Sequence, residues 1–441
     1  MCISAKTGRK VRVKAGAQNR ERRLTKILPQ GAGEEWRAHW PVVLAACSGM
    51  GLSTIAQYTV SLFIEPIEAE FGWTRAQIMS GMIISAIIGV TCAPLIGAAI
   101  DRFGPRRFGI AATLVVPACF ALLGATSDNI WVWRALWLLF ALSTILLQPA
   151  IWTSAVTGFF EKGRGFALAC VLGGSGISSI AMPPLAYYAI EHFGWRMGFA
   201  AVSLFWLVIT FPLVTLFLTS RKDRDRTSGI QASRAPVRNF GFVLRHLILS
   251  RKFLQVAIAG LLIATVVVSI VTSLVPIMTS NGISRGEAAG IAGMLGFASI
   301  FGRLTVGWLL DRIEARYLAA ITLCLPLLTI LLLTQMPHSV PAAIAAVLII
   351  GLALGAELDL MAYITSRYFE LAYFGTLFGT IGGFVTLAGG MGPVLLNMVY
   401  DATGSYDPAL LAAIPVSLTA AMLFLLLGPY PTDVNQGQTI H

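Results

Sequence analysis

The sequence has 441 residues, 56% of them hydrophobic and 12% charged, with a mean hydropathy of +0.76 and a formal net charge of +11. No soluble domain of this length hides so much apolar surface, so the composition excludes a soluble enzyme or binding module and gives an all-α integral, multi-pass membrane protein. The positive charge does not point to nucleic acid, because the basic residues are divided among separate polar segments.

Residues 1–40 come first, basic and hydrophilic ("AKTGRKVRVK", "RERRLTK") and without the apolar core of a signal peptide. They are expected to form an unstructured cytoplasmic tail, with attraction to anionic lipid as the alternative. Twelve apolar runs follow, near 41–64, 77–100, 108–126, 130–156, 165–190, 196–218, 253–279, 287–310, 317–335, 341–364, 375–399 and 408–428. Each is long enough to cross a hydrocarbon core of about 30 Å as a helix. The polar stretch 219–252 separates six spans (41–218) from six (253–428), and residues 429–441 form a second tail. With the N-terminus inside, one side holds 27 of the 32 Lys and Arg. The protein is therefore expected in the plasma (inner) membrane with both termini cytoplasmic. Five of the six cysteines lie in apolar runs and read as small packing residues.

The two halves are copies of each other. At an offset of 210 residues Gly72 meets Gly282 and Arg75 meets Arg285. Gly97, Asp101, Arg102 and Arg106 meet Gly307, Asp311, Arg312 and Arg316. Further on Gly165, Gly173, Pro183 and Gly194 meet Gly375, Gly383, Pro393 and Gly404. Ungapped patches at one offset indicate two pseudo-symmetric six-helix bundles with a site near the midplane between them, the layout of a transporter.

The motifs carry a family resemblance. "GAAIDRFGPRR" resembles the loop between helices 2 and 3 of the major facilitator superfamily, and "GWLLDRIEAR" is similar to its weaker copy after helix 8. "FFEKGRGFALACVLGGSG" with "GWRMGF", and "GLALGAELDLMAYITSRYF" with "FGTLFG", resemble helices 5–6 and 10–11 of monocarboxylate porters; oxalate–formate exchangers are also similar. The resemblance spans almost everything beyond residue 40. It implies secondary transport of a small organic anion, often with a proton. The alternative is a porter of the same superfamily for a drug, siderophore or amino acid. The aspartate–arginine loop is implied to be a gating element, in which Gly97 lets helices approach closely and Asp101 pairs with Arg102 or a helix terminus.

Arg303 is the one basic residue deep in a span, eight residues before Asp311 and hence roughly 12 Å inside. A centred arginine costs about 2.5–3.5 kcal/mol on insertion scales. Its counterpart in the first half is Ala93, so the scaffold does not require it. A guanidinium suits a carboxylate through two parallel hydrogen bonds, and the family resemblance implies an anion site at this place on helix 8. The competing reading is a structural pair with Glu357 or Asp359, the two acids inside helix 10. These in turn are either proton-coupling groups or latches to Arg367 or Arg164. Gln57, Tyr58, Gln148, Trp152, Thr272 and Ser273 are mid-span polar or aromatic residues that line the cavity or pack between helices. The sequence departs from the family where Tyr58 stands near a helix 1 lysine, Ser299 at a helix 8 aspartate, and Ser273 and Ser280 at a His and an Asp after helix 7. Those departures put proton symport in doubt, though not anion binding. No GxxxxGK[ST] loop and no metal-ligand spacing occurs, so neither ATP drive nor a cofactor is expected, and no pattern identifies an accessory protein.

Overall fold

The computed structural model describes residues 32–103, 105–157, 159–160, 163–218, 250–310, 312–369 and 374–428, with side chains left aside at 93–103 and at a few positions near 150–165 and 374–375. The predicted 219–252 linker apart from its last three residues, most of the 1–40 tail, the 429–441 tail and Asp311 therefore lie outside the described residues, as do the side chains of Asp101 and Arg102. No strand occurs among the described residues.

The helices are α1 (Ala32–Leu52), α2 (Ile55–Phe71), α3 (Arg75–Phe103), α4 (Pro105–Leu122), α5 (Ile130–Thr144), α6 (Pro149–Thr157) and α7 (Arg164–Phe217) in the first half. The second half contains α8 (Arg251–Thr272), α9 (Leu274–Ser280), α10 (Arg285–Leu310), α11 (Ala315–Gln335), α12 (Val340–Tyr368), α13 (Phe374–Thr403) and α14 (Asp407–Leu425). Among the described residues, eleven helical runs are long and apolar enough to span a membrane. The 54-residue α7 holds two of the twelve predicted spans, folded back at Gly194, whose φ of 75° and ψ of 161° are not helical. At 1.5 Å per residue so long a segment could not be one span.

Three spans are broken where the sequence reads as continuous. The first breaks between α1 and α2 at Ser53–Thr54, the fourth at a 3₁₀ turn (Ile145–Leu147) and an extended Gln148, and the seventh at Ser273. Proline at 149 explains the second of these, since it cannot donate to the preceding turn. At Ser53 and Thr54 the hydroxyls bond back to the carbonyls of Met50 and Gly51, in competition with the helical ladder.

The start of the first span moves nine residues toward the N-terminus. Residues 32–40, predicted as tail, are helical, and Glu35 is buried with a carboxylate oxygen 3.0 Å from the Gly163 amide. Trp36 packs its ring against Phe160 and Phe166, and His39 stacks on Phe159. An acid and an aromatic at the right register thus dock this turn onto the segment between spans 4 and 5, which charge counting does not reveal.

Glycines set the contacts between the two halves. A Cβ on Gly176 of α7 would meet Ile300 of α10, and one on Gly293 would lie 3.0 Å from the Ile180 carbonyl. Gly390 of α13 faces Ala86 and Met82 of α3, and Gly89 faces Thr386. Without a hydrophobic drive between helices in lipid, such close backbone approach is what packing requires.

Candidate functional site

The site forms where broken helices from both halves meet. A small void between the halves is lined by Tyr58 and Ser61 of α2, Pro183 of α7, Leu274 and Val275 of α9, and Leu295 of α10. Ser273, at the break of the seventh span, is fully buried beside it.

Arg303 lies two turns beyond Leu295 on α10, and its charge bears on the Tyr58 hydroxyl across the boundary between the halves. The register of α10 against α12 decides its other neighbour. A Cβ on Gly302 would come 2.5 Å from the Leu352 carbonyl oxygen, one on Gly351 would come 2.6 Å from the Ala298 methyl, and Gly355 packs on the backbone of Ser299. With the two backbones held that close, the residue after Gly302 and the residue one turn after Gly355 come together. Arg303 Nε is 3.7 Å from Asp359 Oδ2, with the two side chains 17% and 29% exposed. This is a one-point ion pair. Among the described residues Arg303 donates no hydrogen bond, so none of them uses its planar fork.

The two acids of α12 have separate fates, as their offset of about 200° around the helix demands. Asp359 faces Arg303, and the Arg164 side chain lies outside the described residues. Glu357 is 4% exposed, and its Oε1 has no hydrogen-bond partner among the described residues. A buried carboxyl with an unpaired oxygen is costly when ionised.

The remaining predicted lining residues divide. Gln57 and Gln148 are half-buried, with no side-chain hydrogen bond among the described residues, and Gln148 occupies the extended break of the fourth span. Trp152 does not line the void. It is fully buried between spans of the first half, where a Cβ on Gly49 would collide with its ring and one on Gly109 would lie 3.4 Å from it. An aromatic residue mid-span cannot be assigned to core or cavity from sequence alone, and here the core takes it. Thr272 bonds back to the Val268 carbonyl.

Sequence reasoning missed a polar chain that leaves Ser273. Asn397 of α13, fully buried, donates from Nδ2 to the Pro393 carbonyl at 2.7 Å and to Ser273 Oγ at 3.4 Å. Its Oδ1 accepts from the Tyr406 hydroxyl at 2.9 Å, and that hydroxyl accepts from Arg75 Nη1 at 3.0 Å. A buried asparagine in an apolar run was the available signal.

The described motif side chains stay within their own halves. Arg106 donates to the Thr215 carbonyl at 3.0 Å, the Arg312 guanidinium lies 3.6 Å from the Trp308 ring centroid, and Arg316 pairs with Glu314 at 2.7 Å. Gly307 is exposed, with open space where a Cβ would be, so no close helix approach depends on it.

Comparison with known proteins agrees with this architecture. The sequence model of the Major Facilitator Superfamily matches residues 46–393. An MFS-type transporter of Gibberella moniliformis is 24% identical over 374 residues, 83% of this chain and 84% of that protein. Monocarboxylate transporter 12 of Rattus norvegicus is 24% identical over 431 residues, 88% of this chain and 85% of that protein. Among solved structures, a bacterial homolog of the human lysosomal transporter Spinster, in an inward-facing and occupied conformation, superposes with a TM-score of 0.65 at 18% identity, over 88% of this chain and 96% of that one.

Proposed function

This chain belongs to the Major Facilitator Superfamily, and on that premise we propose that it is a secondary active transporter of a small organic anion, a monocarboxylate first of all, working by alternating access. The observation that carries the reading is Arg303. It is a permanent cation inside a span, it donates no hydrogen bond among the described residues, and its charge bears on Tyr58 of the other half. A carboxylate entering between the halves can take two parallel hydrogen bonds from it, stronger than the single 3.7 Å contact to Asp359. Gln57, Tyr58, Gln148 and Ser273 supply donors around it. The similarity to a monocarboxylate transporter supports the same substrate class.

Asp359 gives the coupling. Its carboxylate and the substrate compete for one guanidinium. A proton on Asp359 removes the competitor, so proton and anion binding are linked and symport follows; without that proton, one anion displaces another and exchange follows. Glu357 is a second proton-holding carboxyl on the same helix. In this reading the protein lies in the plasma (inner) membrane with both termini cytoplasmic, and the aspartate–arginine loops at Gly97–Arg106 and Gly307–Arg316 gate the cytoplasmic face.

A second reading rests on the same ion pair. Because Arg303 and Asp359 together are neutral, a zwitterion such as an amino acid could bridge them. The two readings separate in proteoliposomes. Uptake of labelled monocarboxylates is expected, is lost in Arg303→Ala, and is stimulated by an inward proton gradient. Normal uptake by Arg303→Ala would overturn the anion site, and uptake of amino acids but not of carboxylates would favour the second reading.

A further inference from the structure

Arg75 and Arg285 match in the internal repeat, and each begins the second span of its half. They share one further property: each holds the opposite half of the protein. The Asp401 carboxylate, at the end of α13, accepts the backbone amide of Arg75 at 3.0 Å on one oxygen and that of Ala76 at 2.8 Å on the other. An acid from the second half therefore caps the first turn of α3 in the first half, where amides lack helical partners and the helix dipole favours negative charge. The Arg75 side chain is buried. Its guanidinium lies 4.0 Å from the Tyr400 ring centroid and donates to the Tyr406 hydroxyl, both in the second half, while its Nε pairs with Glu68 at 3.1 Å.

The reciprocal contact runs the other way. Arg285, at the start of α10 in the second half, pairs with Glu191 at 3.9 Å and Glu65 at 3.8 Å and donates to the Leu62 carbonyl, all in the first half. Thr279 adds a hydrogen bond to Glu65 at 2.9 Å. Glu191 and Asp401 are themselves 210 residues apart. The positions of both contacts are therefore duplicated, although Asp401 takes the backbone amide of Arg75 whereas Glu191 takes the guanidinium of Arg285.

We propose that Arg75 with Asp401 and Arg285 with Glu191 form a two-latch gate that closes the face carrying the loops after the odd-numbered spans. Rocking one half against the other to open that face must separate both pairs, because each has one member in each half. The latches are unequal. The α3 latch joins an exposed carboxylate on two backbone amides to a buried Arg75 guanidinium held by Tyr400 and Tyr406, whereas the Arg285 latch is a partly exposed ion pair with contacts of 3.8–3.9 Å. The α3 latch accordingly holds the gate and the Arg285 latch steadies it.

The proposal rests on the transporter reading but not on the anion as substrate, so it is tested without solute. Hydrogen–deuterium exchange followed by mass spectrometry reads the amides of the first turns of α3 and α10 in wild type, Asp401→Ala, Glu191→Ala and the double variant. Asp401→Ala is expected to speed exchange about tenfold in the first turn of α3 and also, several-fold, in the first turn of α10, because opening is a motion of the whole face. Glu191→Ala is expected to give a smaller rise at both places. Faster exchange confined to α3 in Asp401→Ala would reduce that contact to a local cap and overturn the gate, as would unchanged exchange in the double variant. Melting temperature is followed in parallel, and Asp401→Asn, which keeps one acceptor oxygen, stands in if the alanine variant does not fold. Failure of carboxylate uptake with the exchange pattern intact would sink the substrate assignment and leave the gate standing.

Discussion

Asp359→Asn is the most direct perturbation of the site, because it keeps the shape of the side chain and removes the charge that competes for Arg303. At 3.7 Å and an effective dielectric constant of about 20, two unit charges attract by ~4.5 kcal/mol. Desolvation and lost side-chain freedom offset most of that. The contact has one point, no hydrogen bond and two partly exposed side chains, so roughly 1–2 kcal/mol of net attraction remains. Removing the competitor should therefore raise the apparent affinity for a carboxylate about 5- to 30-fold. The sign of the pH effect follows. A protonated Asp359 resembles the asparagine variant, so wild type binds a monocarboxylate tightly at low pH and more weakly as pH rises, while Asp359→Asn binds tightly throughout. Binding of a labelled monocarboxylate to purified protein, measured at about pH 5.5 and about pH 8, tests this, with Arg303→Ala/Asp359→Ala as the non-binding control that leaves no charge unpaired. Equal affinity and an equal pH slope in wild type and Asp359→Asn would refute the competition.

Three further outcomes follow from the same geometry. Gly355→Ala drives a methyl into the Ser299 backbone and should cost about 1–3 kcal/mol; melting temperature and uptake should fall together, since the register that joins Arg303 to Asp359 shifts. Trp152→Ala empties a core position against Gly49; it should lower stability on the order of 3 kcal/mol while leaving carboxylate affinity within about twofold, and a selective loss of binding would return this residue to the cavity wall. Burial pushes the Tyr406 hydroxyl up to about 12, with Arg75 lowering it only in part, so the phenol stays protonated and keeps donating to Asn397 throughout the physiological range. The pH slope of uptake should accordingly be the same in Tyr406→Phe, and a flattened slope would contradict the assignment of that slope to Asp359.

The sequence exposes what is chemically isolated and hides what depends on register. Arg303 could be singled out because it is the one cation deep in an apolar run, and Ala93 at its repeat position removed the scaffold as a cause. Its partner could not be read, because Glu357 and Asp359 lie two residues apart and only the glycine contacts between α10 and α12 decide which of them turns inward. Trp152 failed for a related reason: mid-span aromatics look alike until their neighbours are known. The helix break at Ser53–Thr54 carries no proline, so periodicity ran straight through it, whereas Gln148–Pro149 and Ser273, three residues before Pro276, were legible in principle. The gate lay closest to discovery. The match of Arg75 with Arg285 was visible, but the match of Glu191 with Asp401 replaces one acid with another and is lost when only identities are compared.

The repeat also separates mechanics from chemistry. Where the two halves must grip and release each other, both copies retain the device: arginine at 75 and 285, acid at 191 and 401, a positive-φ glycine at 72 and 282. Where a solute must be held, the copies diverge. Arg303 faces Ala93 in the alignment, Asp359 faces Pro149, and the broken fourth span with its free Gln148 amide faces an uninterrupted α12. A gate between the halves needs a member from each, which duplication supplies, but a site can hold one polar solute in one orientation only if the copies differ. The hydrogen-bonded chain from Ser273 through Asn397 and Tyr406 to Arg75 joins the two regions through buried groups alone. Shifting the broken seventh span around a bound solute would disturb Asn397, and through it the aromatic support of the stronger latch. Cutting the chain with Asn397→Leu should therefore leave carboxylate affinity nearly unchanged and slow the turnover of uptake, a split that loss of a binding group at Ser273 would not produce.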